Sequence, residues 1–111
     1  MSTPSHSVQH CTTMTEVRAH IDALDAQIVP LLAQRCGYVA QAGRIKQAEH
    51  QIVDVDRIEF IVARVCAQAD SLGAPAAVVE AAYRALIQAS IDFERGEFAR
   101  LHRPVLTGEQ A

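Results

Sequence analysis

The chain has 111 residues, with ten lysines and arginines against thirteen aspartates and glutamates, and half of its residues are hydrophobic. A length of this order fits one domain, and the net charge of -3 excludes the strong basic excess expected of a nucleic-acid surface. No apolar run reaches the ~18 residues that a membrane span needs, and the opening MSTPSHSVQHCTT lacks the basic and then apolar stretches of a secretory signal. A soluble cytoplasmic protein is expected. Cys11, Cys36 and Cys66 are odd in number and form no CxxC pair, which fits reduced thiols better than a disulfide framework or a zinc site. The histidines, His6, His10, His20, His50 and His102, show no ligand spacing with them, so no metal is expected. With three Phe, two Tyr and no Trp, the core has to come from Ala, Val, Ile and Leu, which suits closely packed helices.

Residues 1–11 form a polar leader rich in Ser, Thr and His, expected to be disordered. A helical domain is expected over residues 12–103. Val17, Ile21, Leu24, Ile28, Leu31 and Leu32 recur at three- and four-residue steps, and Tyr38, Ala42 and Ile45 continue the stripe. Thr13 or Thr15 caps the start, with Glu16 near the positive end of the dipole. No stop signal follows until about Gln47 to Gln51. Pro30 lacks an amide hydrogen and crowds the carbonyl four residues back, so a kink near Ala26 is expected. Gly37 and Gly43 weaken the same helix by roughly 1 kcal/mol each against alanine.

Asp54 suits the N-cap of a second helix with Ile58, Ile61, Val62, Val65 and Leu72 on its apolar side. In the break SLGAP, Gly73 suits a C-terminal cap and Pro75 the first position of a third helix. That helix is predicted from Pro75 to about Leu101, burying Val78, Val79, Ala82, Leu86, Ile87 and Ile91, with residues 104–111 as a flexible tail. The architecture is therefore all-α. A first helix of ~36 residues spans ~54 Å, far more than the diameter of so small a globule, and its apolar stripe calls for a second copy. The expected assembly is a homodimer of three-helix protomers.

Arg35 and Lys46 interrupt that stripe. Eleven residues is nearly three turns, so they share a face ~16 Å apart, where two long cations can grip a small anion. Arg18 lies a further ~25 Å back and about a quarter circle round. It cannot reach the same ligand from the same chain, but an antiparallel partner helix would supply it. Taken singly, each passes for an ordinary surface cation, and Lys46 at a helix end also suits the dipole.

The segment EVRAHIDALDAQIVPLLAQRCGYVAQAGRIK resembles the first helix of the all-helical chorismate mutases: an Arg, then I-D-x-L-D, then L-L-x-x-R, then a Lys eleven residues on. The resemblance continues through VDVDR and YRALIQASIDFE and covers about Val17 to Glu94. It implies an intertwined homodimer that holds a dicarboxylate substrate and uses no cofactor. Arg35 would bind one carboxylate and Arg18 of the partner subunit the other. Lys46 would bridge a carboxylate and the ether oxygen whose bond breaks. Arg57 and Asp54 would line the site, Ser90 would make a polar contact, and Ile87 and Ile91 would form part of the apolar wall. Glu94 takes the place of a glutamine that in many members donates a hydrogen bond to the ether oxygen.

The implied reaction rearranges chorismate to prephenate through a cyclic transition state, without nucleophile or metal. The protein has only to hold a folded dianion and stabilise charge developing on the ether oxygen. A carboxylate at position 94 would repel that oxygen, so Glu94 has to carry its proton to help, and activity is expected to fall as pH rises. One departure stands out. Ile58 follows Arg57 where typical mutases have a glutamate contacting the ring hydroxyl. Isochorismate pyruvate lyases, which yield salicylate and pyruvate, have an apolar residue there and share the Cys11–Thr12 pair, whereas Ser90 and Glu94 are more like mutases. The third alternative is a non-catalytic helical dimer, against which stands the retention of Arg18, Arg35, Lys46 and Arg57 together.

Overall fold

A computed structural model describes residues 7–102; the expected tail, 104–111, and the first six residues of the leader lie outside that range. The described residues form three α-helices and no strand: α1 (Met14–Ile45), α2 (Val55–Ser71) and α3 (Ala76–His102), with a 3-10 turn at Glu49–Gln51 between the first two.

Thr13 is the cap that starts α1. Its hydroxyl accepts from the Glu16 amide at 3.1 Å, while Glu16 Oε1 reaches back to accept from the amides of Thr12 and Thr13, also at 3.1 Å. This reciprocal arrangement satisfies amide hydrogens that a helix start leaves without partners. The helix then runs on through Pro30 to Ile45. The Lys46 amide still donates to the Ala42 carbonyl at 2.9 Å, after which Gln51 Oε1 ties down the amides of Gln47 and Ala48 at 2.8 and 3.1 Å. Gln51 thereby closes the connection to α2.

Asp54 caps α2 as expected, its Oδ1 accepting from the Arg57 amide at 3.0 Å. The helix ends on Gly73, whose φ of 72° is open to glycine at little cost. The Ala74 amide donates to the Ala69 carbonyl at 2.8 Å and the Gly73 amide to the Asp70 carbonyl at 3.1 Å, the pairing of a Schellman cap. Pro75 stands one residue outside α3 rather than at its first position, its carbonyl receiving the Val78 and Val79 amides.

The chain divides after Arg35, inside α1, into two compact units. In the first, no described residue is buried. Ile21, Leu24, Ile28, Val29, Leu31 and Leu32 are all exposed. A cavity of about 720 Å³ lies between leader residues Ser7 to Cys11 and the first three turns of α1.

The second unit holds the core, Ile52, Ile61, Val62, Val65, Ile87 and Ile91, where α2 packs on α3. Ile58, Cys66, Val79, Tyr83 and Phe98 flank it. On α3 the buried stripe therefore runs Val79, Tyr83, Ile87, Ile91, Glu94, Phe98, in steps of three and four. Val78 and Ala82 were expected to be buried but are exposed, because each lies one residue, about 100°, off that stripe. Leu72 is exposed too, as the C-cap beyond the end of α2. Ile52, in the connection, and Ala69 are among the most buried residues, although neither belongs to the expected apolar sets. On the surface, Arg84 grips Glu59 of α2 through both terminal nitrogens at 3.2 Å and Glu80 at 2.9 Å. That double pairing holds Glu59 below the usual carboxylate range and raises Arg84 further.

Candidate active site

The end of α1 and the buried stripe of α3 bring two of the expected residues together. Lys46, one residue beyond α1, keeps its place through its amide bond to Ala42. Its Nζ stands 2.6 Å from Glu94 Oε2. The Glu94 side chain is only 9 % exposed and that of Lys46 is 28 % exposed. The approach is an ion-pair contact by distance, but its direction lies outside hydrogen-bonding angles, so the buried Oε2 has no hydrogen bond. Burying a carboxylate costs several kcal/mol unless a charge answers it, and the Lys46 ammonium is that charge. A solvated Glu94 on the outer face is excluded, since Glu94 is 6 % exposed overall.

Lys46 also lines an open cleft of about 500 Å³ with Gln51, Val53, Asp54, Val55 and Asp56. This cleft, rather than the larger cavity of the first unit, carries the candidate chemistry: no lysine or arginine lines the larger one. Within the cleft, Asp54 is engaged as the cap of α2. Arg57 is exposed and lies over the Phe60 ring at 5.5 Å, with Arg64 at 5.4 Å from the same ring. Ser90 is half-buried on α3, and Ile87 and Ile91 are core residues beside Glu94 on the same stripe. Arg18, exposed, and Arg35, half-buried, belong to the first unit. Seventeen residues of continuous helix separate them by ~25 Å.

Two residues escaped the sequence reading. Gly43 is the single buried residue of α1 among those described, and a side chain there would meet Glu94. Gln51 closes the Lys46 connection and lines the cleft. The signal for Gly43 was its place one turn before Lys46, where it registered only as a weak helix former. No group of three or more His, Cys, Asp or Glu side chains able to hold a metal occurs among the described residues. No described helix is long and apolar enough to cross a membrane.

Among the described residues, three helices without a strand carry a recessed ammonium–carboxyl pair beside an open cleft, the frame of a small all-helical protein. The chain belongs to the chorismate mutase type II family, which matches residues 17–95. It is also similar to an isochorismate pyruvate lyase of Pseudomonas aeruginosa, 31 % identical over 87 residues, which are 78 % of this chain and 82 % of that protein. The family is enzymatic, and its two named activities share related substrates.

Proposed function

We propose that the protein is a cytoplasmic chorismate mutase, rearranging chorismate to prephenate in a pocket shared by two subunits. The Lys46–Glu94 contact is the observation that supports this most. In the rearrangement the ether C–O bond breaks as a C–C bond forms, and negative charge gathers on the departing oxygen. The Lys46 ammonium, held in place by the Glu94 carboxyl beside it, offers a donor to that oxygen, and preorganised donors of this kind are the usual source of such stabilisation. Ile87 and Ile91 exclude water from the same place.

The cleft alone does not balance a dianion, since Lys46 is accompanied there by Asp54 and Asp56. Arg35 is assigned to one substrate carboxylate and Arg18 of the partner subunit to the other, because α1 holds these two too far apart to serve one small ligand. The exposed apolar face of the first unit supports the homodimer this requires, with α1 bending at Pro30 about its partner.

A lyase reading has its own observation. Ile58 packs against the core, leaving no acceptor at that position for the ring hydroxyl of chorismate, and the similar Pseudomonas protein bears the lyase name. In that reaction isochorismate loses pyruvate as one C–O bond breaks and a ring hydrogen passes to the enolpyruvyl carbon. The deciding experiment incubates the purified protein separately with chorismate and isochorismate from mildly acidic to neutral pH, following prephenate, salicylate and pyruvate. Prephenate formation from chorismate supports the mutase. Salicylate with pyruvate as the far faster reaction replaces it with the lyase, and turnover of neither substrate leaves a non-catalytic dimer.

A further inference from the structure

We infer that Gly43 is a positioning residue, whose missing side chain sets the separation of Lys46 from Glu94. The role of that pair in the chemistry rests on the function proposed above, but the geometry does not. A Cβ built on Gly43 would stand 3.3 Å from the Glu94 carbonyl oxygen, 3.4 Å from Glu94 Cγ and 3.4 Å from Glu97 Cβ. These atoms are backbone of α3 or lie within two bonds of it, so none can swing aside as the end of a long side chain does. Two of the three belong to the residue that Lys46 contacts.

Gly43 precedes Lys46 by three residues, and residues three apart on a helix are neighbours on its surface. The last turn of α1 therefore approaches α3 at Gly43 and delivers the ammonium one step further along. Adding a methyl group at 43 forces the two helices apart by a few tenths of an ångström at the point that fixes the ion pair. Gly37, on the same helix, meets nothing within 4 Å. The poor helix-forming tendency of glycine is thus matched by a close approach at one position and not at the other. The geometry makes Gly43 the element that lets Lys46 reach the buried Glu94 carboxyl.

The test is a double-mutant cycle in the full chain, followed by chemical denaturation. Lys46→Met, Glu94→Gln and the pair are compared with glycine and then with alanine at position 43. Coupling between 46 and 94 is expected in the natural chain and is expected to disappear with Gly43→Ala, while circular dichroism still shows a helical protein. In the same variant kcat falls roughly tenfold with a smaller change in KM, as expected of a small misplacement of a reacting group. A merely structural glycine would lower overall stability and leave the coupling intact, and that result overturns the inference. So does an absence of coupling in the natural chain. If the methyl group prevents folding, the same cycle is run in a stabilising osmolyte, which strengthens burial without touching the pair. Coupling lost in a protein that turns over neither substrate would keep the positioning role and discard the proposed reaction.

Discussion

Lys46 Nζ lies 2.6 Å from Glu94 Oε2, joining the end of α1 to the one buried charged side chain among the described residues. Truncating one member of such a pair strands the other. Lys46→Met is therefore expected to destabilise the fold by about 3 kcal/mol, the low end for a broken buried pair because the lysine keeps some contact with water. Glu94→Gln, which removes charge from the buried side, is expected to cost clearly less. Equilibrium denaturation in urea measures both, and equal losses would contradict the assignment of Glu94 as the desolvated partner.

The same two substitutions separate in catalysis. Loss of the ammonium is expected to lower kcat by about 10²- to 10³-fold, the usual effect of removing one donor to a developing oxyanion. Glu94→Gln keeps the shape of the side chain but removes the charge that holds the ammonium, and is expected to lower kcat less than Lys46→Met does. Equal losses from the two substitutions would contradict Lys46 as the donor to the ether oxygen.

Much of the fold was legible in the sequence, and the reasons are local. The spacing that marks α1 depends on single-helix periodicity, and the Asp54 and Gly73 caps depend on contacts within a few residues of each. Glu94 was singled out only through the family resemblance; periodicity did not place it, and the structure buries it on the stripe of Ile87 and Ile91. What periodicity alone missed is the phase of α3: Val78 and Val79 are equally apolar, and only the facing α2 decides that Val79 turns inward. Gly43 was missed for a related reason. A glycine's lack of a side chain has meaning only against the atoms of another helix.

The start of α1 carries its own pH dependence. Hydrogen bonds from the Thr12 amide first, then from the Thr12 and Thr13 hydroxyls, hold the Glu16 carboxyl below its ordinary value of 4.5. A carboxyl depressed in the folded state contributes its stability above the unfolded value and loses it as pH falls through the folded one. Fraying of the first turn is therefore expected below about pH 4.5, visible as faster amide exchange at Thr12, Thr13 and Glu16. Glu16→Gln is expected to remove this dependence, and Thr13→Ala to weaken the cap by about 1 kcal/mol at neutral pH. Unchanged exchange across the acidic range would dismiss the capping interaction.

Two glycines are expected to respond to alanine in opposite directions. At Gly73 the backbone lies at φ 72°, where a Cβ meets the following carbonyl, and Gly73→Ala is expected to cost about 1–2 kcal/mol. Gly73→Asn is expected to cost less, because asparagine tolerates that region. Gly37 sits inside α1 with open space around it, so Gly37→Ala gains helix propensity and raises stability by about 1 kcal/mol. Thermal melts of the variants give the signs directly. A stabilising Gly73→Ala would rule out the Schellman cap at the end of α2.

Ile21, Leu24, Ile28, Leu31 and Leu32 leave an apolar face on the first unit that its own residues do not cover. Contiguous exposed apolar surface of this kind marks an interface, and the proposed dimer buries it against the same face of a second copy. A charge at its centre, Leu24→Asp or Ile28→Glu, would have to be desolvated without a partner on association. Either variant is expected to shift the protein to monomer in light scattering. Because Arg18 is assigned to the partner subunit's pocket, the monomer is expected to lose turnover as well, even at saturating substrate. Mixing supplies the discriminating step. An Arg18→Ala chain and a Lys46→Met chain are each inactive in a shared-site dimer, but a heterodimer of the two retains one complete pocket built from Arg18 of one subunit and Lys46 of the other. Recovery of activity on mixing and re-equilibrating the two inactive proteins is the expected result. Full activity in a monomeric Leu24→Asp variant, or no recovery in a mixture shown to contain heterodimer, would place every reacting group within one chain and end the shared-pocket reading.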